Sequence, residues 1–385
     1  MMDVIIPDKV KSIMNYLEDS GFEVFVVGGC VRDIILGNIP NDWDMCTNGK
    51  PEEIIDALHD KFKVIPTGLK HGTVTVVSEK NSYEITTYRK ENGYSDGRHP
   101  DSVEFVPDIY EDLKRRDFTV NAMAYNEKVG LIDLFGGRED LNKRIIRSVG
   151  NPKERFLEDA LRILRGIRFA GKLSFDIEEK TAEEIHNLKE TLKNVSKERI
   201  FDELRGILVS NNPPLKEFEA VFKEVLAEDI IIDSVFEKLP QSFDLKLSAI
   251  LRECDYKKVL NDLKCDTRTK TAVSKIIENK SIKLPKDKKA AKLFLKDFGE
   301  NKDILLFSKV LNNIREREYN DCVSLMNDIA LKGECYSLKQ LKLTGNDLIE
   351  RGYKGKEIKD KLNEILMLVI DEKINNERDE LLKNI

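Results

Sequence analysis

Phe22-Glu-Val-Phe-Val-Val-Gly-Gly-Cys-Val-Arg-Asp33 runs from a strand-like apolar segment into a double glycine, and Leu36-Gly37 and Asp42-Trp-Asp44 follow it. β-Branched and aromatic residues ahead of a glycine pair predict a strand that stops at Gly28-Gly29. Glycines there let backbone N–H groups approach a phosphate, and the N-terminus of a following helix favours an anion. Arg32 would lie one turn into that helix, where its fork could grip a phosphate. The same pattern also suits a plain strand-to-helix turn. Asp42 and Asp44 alternate, so on a strand they share one face. Two carboxylates side by side repel unless a cation lies between them, and hard oxygen ligands suit Mg2+. Two-metal sites stabilise the attacking and leaving oxygens in nucleotidyl transfer. The alternative for such a pair is a solvated acidic loop.

Downstream, Thr73-Val-Thr-Val-Val77 and Tyr83-Glu-Ile-Thr-Thr-Tyr88 predict a hairpin, and Leu131-Ile-Asp-Leu-Phe135 predicts a further strand stopped by Gly136-Gly137. After about residue 150 the periodicity becomes helical: Leu157, Leu161, Leu164 and Ile167, then Ile200, Leu204 and Leu208, then Ile358, Leu362, Ile365 and Leu366. Asn211-Asn-Pro-Pro214 and the lysine-rich 280–289 stretch read as connectors. The expected class is therefore α+β, a mixed head followed by helices.

The 385 residues are 41% hydrophobic and 35% charged, with a net charge of −6. That suits a soluble globular chain of several domains and leaves nucleic-acid binding open, since basic residues must then be segregated into patches. Six cysteines form no Cys-x-x-Cys pair, four histidines form no metal-ligand spacing, and no stretch has the length and apolarity of a membrane span. The N-terminal segment carries acidic residues and no signal-peptide core. A cytoplasmic protein with no membrane contact and no obligatory protein partner is expected.

Two later segments carry chemistry. Leu113-Lys-Arg-Arg-Asp-Phe-Thr-Val-Asn-Ala-Met123 places adjacent arginines before an aspartate. In Glu158-Asp-Ala-Leu-Arg-Ile-Leu-Arg-Gly-Ile-Arg168, Asp159, Arg162, Arg165 and Arg168 recur every three residues. On a helix such positions are neighbours, so Asp159 and Arg162 are expected on adjoining turns. A surface salt-bridge ladder has this pattern. So does a base reader: cytosine and adenine both present an amino donor beside a ring-nitrogen acceptor. A carboxylate and an arginine match that pair, while uracil and guanine present the reverse and would leave polar groups unpaired.

Together these segments resemble motifs A and B and the Glu-Asp-x-x-Arg motif of class II tRNA nucleotidyltransferases and bacterial poly(A) polymerases. The resemblance implies a polymerase-β-like nucleotidyltransferase head followed by an all-helical neck, body and tail. It implies boundaries at 1–138 for the head, 139–210 for the neck, 211–280 for the body and 281–385 for the tRNA-binding tail. It assigns the catalytic metals, two Mg2+ ions, to Asp42 and Asp44, and the incoming triphosphate to Gly29 and Arg32. Arg116 would meet the nucleotide phosphates, and Asp117 and Asn121 the sugar. Asp159 and Arg162 would select the base, with Arg165 and Arg168 continuing toward nucleotide or primer. The superfamily often adds a third carboxylate; Glu84 is the candidate, or else a salt-bridged strand residue.

Ser196-Lys-Glu-Arg-Ile-Phe-Asp-Glu-Leu204 resembles the family's next helical motif and reads as structural support. Leu341–Leu348, Gly352–Ile358 and Asn376–Leu382 are similar to the tail of Gram-positive-type members. Tyr94-Ser-Asp-Gly-Arg-His-Pro100 resembles the loop whose loss marks members that add only CC, with His99 where a second arginine is more common. The expected activity is addition of C, C and A to the tRNA 3′ end from CTP and ATP. The alternatives are A-only addition, poly(A) synthesis, or an inactive tRNA-binding protein.

Overall fold

The computed structural model describes residues 6–78, 81–94 and 101–385. Helix α1 (Asp8–Asp19) precedes β1 (Val24–Val27), α2 (Gly29–Ile35), β2 (Asp44–Thr47) and α3 (Pro51–Leu58). Then come β3 (Lys63–Gly68), β4 (Thr73–Ser78), β5 (Asn81–Thr87), β6 (Arg89–Asn92), β7 (Ser102–Phe105), α4 (Ile109–Lys114), β8 (Met123–Asn126) and β9 (Gly130–Asp133). Seven of these strands form one sheet in the order β3-β4-β5-β2-β1-β8-β9. Strand β1 pairs antiparallel with both neighbours, and all four of its residues are buried. A strand covered on both faces needs an unbroken apolar run, which is what Val24-Phe-Val-Val27 supplies. The expected hairpin is β4–β5, with Val74 opposite Ile85. Strand β5 runs parallel to β2 and sets Glu84 opposite Asp44.

Beyond the sheet lie α5 (Gly137–Lys143), β10 (Ile145–Ile146), α6 (Pro152–Glu158), α7 (Leu161–Leu173), β11 (Asp176–Ile177), α8 (Glu179–Leu188) and α9 (Lys197–Leu208). From Glu179 onward every described element is helical, as expected for the fold class. Helices α7 and α9 pack together, and Ile163, Leu164 and Ile167 of α7 and Ile200, Leu204 and Ile207 of α9 are all fully buried.

The Leu157–Ile167 periodicity predicted a single helix, but α6 ends at Glu158 and Asp159 is extended, at φ −143° and ψ 103°. Its side chain accepts the N–H of Leu161 at 3.1 Å, so it caps the next helix instead of continuing the last. Asp159 and Arg162 are therefore not on adjoining turns of one continuous helix, though the Arg162 N–H still donates to the Asp159 carbonyl at 3.0 Å, and Leu157 is left half exposed.

The chain divides into two compact units, 1–231 with 253–265 and 232–252 with 266–385. In the second unit, Leu341, Leu343, Ile365, Leu366, Val369 and Leu381 build a core. Gly355, at φ 55°, caps the start of the helix Lys356–Ile370. At the end of the lysine-rich 280–289 stretch, Lys288 approaches Glu334 at 2.9 Å and Lys289 approaches Asp371 at 2.8 Å.

Candidate active site

Strand β1 stops at Gly28, whose φ of +79° is strained for any side chain; a Cβ there would also stand 2.8 Å from Nη1 of Arg116. Glycine thus lets Arg116 lie against the start of α2. Arg32 is buried and donates from Nη1 to Oδ1 of Asn121 at 2.6 Å and from Nε to Asp33 at 2.8 Å. Asn121 donates in turn to Oδ1 of Asp117 at 3.3 Å. Burial would push the Asp117 carboxyl up, but Arg165 and Arg162 hold it below the usual carboxylate range. The guanidiniums of Arg32, Arg165 and Arg168 all gather within 5.5 Å of the Phe169 ring centroid.

Arg116 is less committed. Its contacts to Asp112, at 3.3 Å, and to the carbonyl of Asn121, at 3.4 Å, are long, and its buried Nε has no partner. An arginine with a spare buried donor suits an anionic ligand. Arg115 beside it is tied to two carboxylates, donating to Asp112 at 2.6 Å and to Glu91 at 3.3 Å. Glu91 also accepts from Arg89 at 2.9 Å and from the Tyr94 hydroxyl at 2.5 Å. Burial would raise the Glu91 carboxyl, but Arg115, Tyr94 and Arg89 together hold it low.

Asp44 opens β2, beside Glu84 on β5. Asp42, just before the strand, is exposed like Asp44, while Trp43 and Met45 between and after them are buried, so the two acids share a face. Although Asp44 is exposed by surface area, it lines a protein cavity, and the partial desolvation there first, then the charges of Glu84 and Asp42, push its carboxyl above its usual range, against the pull of Arg116. A carboxyl crowded by neighbouring acids in this way is relieved by a divalent cation, and the hard oxygens of the three side chains fit Mg2+. Among the described residues no three metal-ligating side chains are already gathered around one point.

Asp44, Gly28, Gly29, Arg32, Arg116, Asp117 and Asn121 line one cavity of about 740 Å³ together with Asp159, Arg162 and Arg165. Asp42 and Glu84 stand beside Asp44 but outside that lining. Arg168 is not brought in: Nε donates to Glu203 at 2.5 Å, over Gly206, where a Cβ would meet its Cδ at 2.5 Å. Arg162 donates to Glu158 at 2.6 Å and to the carbonyls of Arg155 and Arg115 at 3.1 and 3.2 Å. Asp159 does not pair with it; it accepts from Arg199 at 2.8 Å. Arg89, Glu91, Tyr94, Arg115, Phe169 and Arg199 also line the cavity and were missed. The available signals were the Arg-x-Glu of β6 and the charged start of α9. Residues 95–100 of the expected loop, with Arg98 and His99, lie outside the described residues.

Family models match this chain in three places: the Poly A polymerase head domain over residues 24–147, the RNA and SrmB-binding site of polymerase A over 174–215, and tRNA nucleotidyltransferase domain 2 over 245–385. The CCA-adding enzyme of Staphylococcus epidermidis is 33% identical over 396 residues, covering 98% of this chain and 96% of the relative.

This chain belongs to the CCA-adding enzyme family.

The CCA-adding enzyme of Lactobacillus delbrueckii subsp. bulgaricus is 47% identical over 215 residues, which is 56% of this chain and 52% of the relative. The match thus spans about half the length of that relative, and nearly the whole of the staphylococcal one. The crystal structure of the Bacillus stearothermophilus CCA-adding enzyme in complex with CTP superposes with a TM-score of 0.79, at 26% identity, over 98% of this chain and 97% of that one. Among the described residues no helix is long and apolar enough to cross a membrane.

Proposed function

We propose that this chain is a CCA tRNA nucleotidyltransferase, adding C, C and A to the 3′ end of tRNA from CTP and ATP with release of pyrophosphate. The observation that carries the reading is that Asp159 and Arg162 line the same cavity as Asp44, Gly29 and Arg116. One nucleotide can then meet a base reader, a phosphate clamp and the carboxylates at once, with no template strand.

Gly29, Arg32 and Arg116 bind the triphosphate, the free Nε of Arg116 being the donor with most to gain. Asp117 and Asn121 orient the sugar through the network that ends on Arg32. Asp159 accepts the amino group of cytosine or adenine, and Arg162 donates to the ring nitrogen once it turns from Glu158. Arg165 holds Asp117 in place. Asp42 and Asp44, with Glu84 beside them, would hold Mg2+, which when bound lowers the cost of ionising the primer 3′-hydroxyl and of charge building on the phosphate. The head (1–138) and neck (139–210) carry the chemistry in this reading, while the body (211–280) and tail (281–385) hold the tRNA. Six free thiols suit work in the cytoplasm.

The test is pyrophosphate release from a tRNA lacking its CCA end, with CTP and ATP, with and without Mg2+. Metal-dependent release is expected. Binding of that tRNA with no release would make the chain an inactive tRNA-binding protein.

A further inference from the structure

Arg199 lies in the first turn of α9, and its Nη2 donates to Oδ2 of Asp159 at 2.8 Å. The other oxygen, Oδ1, accepts the N–H of Leu161 at 3.1 Å. The carboxylate is thus anchored at both oxygens, once by backbone and once by a guanidinium from a different helix. Both side chains are mostly buried, at 22% and 16% exposure, and both line the nucleotide cavity. Asp159 sits in extended backbone between α6 and α7, so no helical turn of its own fixes the carboxylate.

We infer that Arg199 is a specificity-determining positioning residue, which orients the Asp159 carboxylate so that its remaining lone pairs accept the amino group of cytosine or adenine. This rests on the reading that Asp159 and Arg162 select the base. Each carboxylate oxygen has two acceptor sites, so the existing bonds leave one on each. Choosing a base by its donor and acceptor pattern demands atoms held to within about 0.5 Å. A carboxylate tied at one oxygen alone can swing and admit a water between itself and a mismatched base. The Arg162 guanidinium, the partner half of the reader, has other partners, Glu158 and the carbonyls of Arg155 and Arg115, and none of them is Arg199. Loss of Arg199 therefore loosens one half of the reader and spares the other.

The experiment uses the full chain and a tRNA ending at the discriminator base. It measures kcat/KM for CTP divided by kcat/KM for UTP in wild type, Asp159→Ala, Arg199→Gln and Arg199→Lys. The ratio is internal to each variant, so a general loss of activity from looser α7–α9 packing cancels. Arg199→Gln is expected to lower the ratio by about tenfold or more, and Arg199→Lys, which keeps charge and stem but loses the fork, to fall between it and wild type. A fall in Asp159→Ala with an unchanged ratio in Arg199→Gln overturns this inference and leaves base selection by Asp159 standing. No change in either variant overturns both. A fall in Arg199→Gln alone means that Arg199 acts without Asp159, and also overturns it. Should Arg199→Gln not fold, Arg199→Lys decides, and a wild-type ratio there is the contrary result.

Discussion

Arg165 meets Asp117 through two nitrogens on one carboxylate oxygen, Nε at 2.8 Å and Nη2 at 2.7 Å. That contact joins α7 to the segment between α4 and β8, and through Asn121 it reaches Arg32 on α2. Helix α7 and helix α2, on two sides of the cavity, are therefore joined by one hydrogen-bonded chain.

Cutting that chain at Asp117 should weaken nucleotide binding and stability together. Asp117→Ala leaves Arg165 and Asn121 short of an acceptor. A cost of about 2 kcal/mol is expected, below that of a fully buried pair because Arg165 is 35% exposed. Thermal melting and KM for CTP check this; an unchanged KM would detach Asp117 from the site.

Arg116 should matter to both nucleotides alike. Its free Nε gives it a donor for a phosphate whatever the base. Arg116→Ala is expected to raise KM for CTP and ATP by a similar factor, about tenfold to a hundredfold for a charged hydrogen bond. Steady-state kinetics with each nucleotide would reveal a base-dependent effect, which this account does not allow.

The carboxylates should be needed for chemistry and not for holding RNA. Asp42→Ala and Asp44→Ala are each expected to cut addition by more than about a hundredfold, and chelation of Mg2+ to abolish it, with tRNA affinity kept. Filter binding beside the addition assay separates the two, and an active Asp42→Ala enzyme would remove that residue from the metal site.

Stability should fall on acidification. Burial raises the Asp112 carboxyl, but Arg115 and Arg116 bring it below its usual range, and Asp117 is held low in the same way. A carboxyl depressed in the folded state stabilises fully above its unfolded value of about 3.9, and the contribution is lost as pH drops through the folded value. Melting temperature should therefore decline below about pH 4, and Asp112→Asn should flatten that decline while lowering stability at pH 7. An equal slope in the variant would point to other carboxyls.

Much of this site could be read from local sequence. Gly29, Arg32, Asp44, Arg116 and Asn121 lie in short segments where strand, turn and helix signals agree, and the sheet brings them together. What escaped was long-range or irregular. A recurrence of three fits a helix, yet Asp159 caps instead of continuing, because its carboxylate competes for a backbone N–H. Arg199 finds its partner forty positions away, and Arg115 reaches Glu91 across twenty-four. Arg168 shares the period of Arg162 and Arg165 but turns over Gly206 to Glu203, a choice set by packing between α7 and α9.

The most direct measurement is extension of three tRNAs, ending at the discriminator base, at C and at CC, with each nucleoside triphosphate alone and mixed. The account predicts growth of all three to CCA from CTP and ATP, with arrest there. Addition of a single A to the CC-ended tRNA alone, or unlimited A addition, would contradict it.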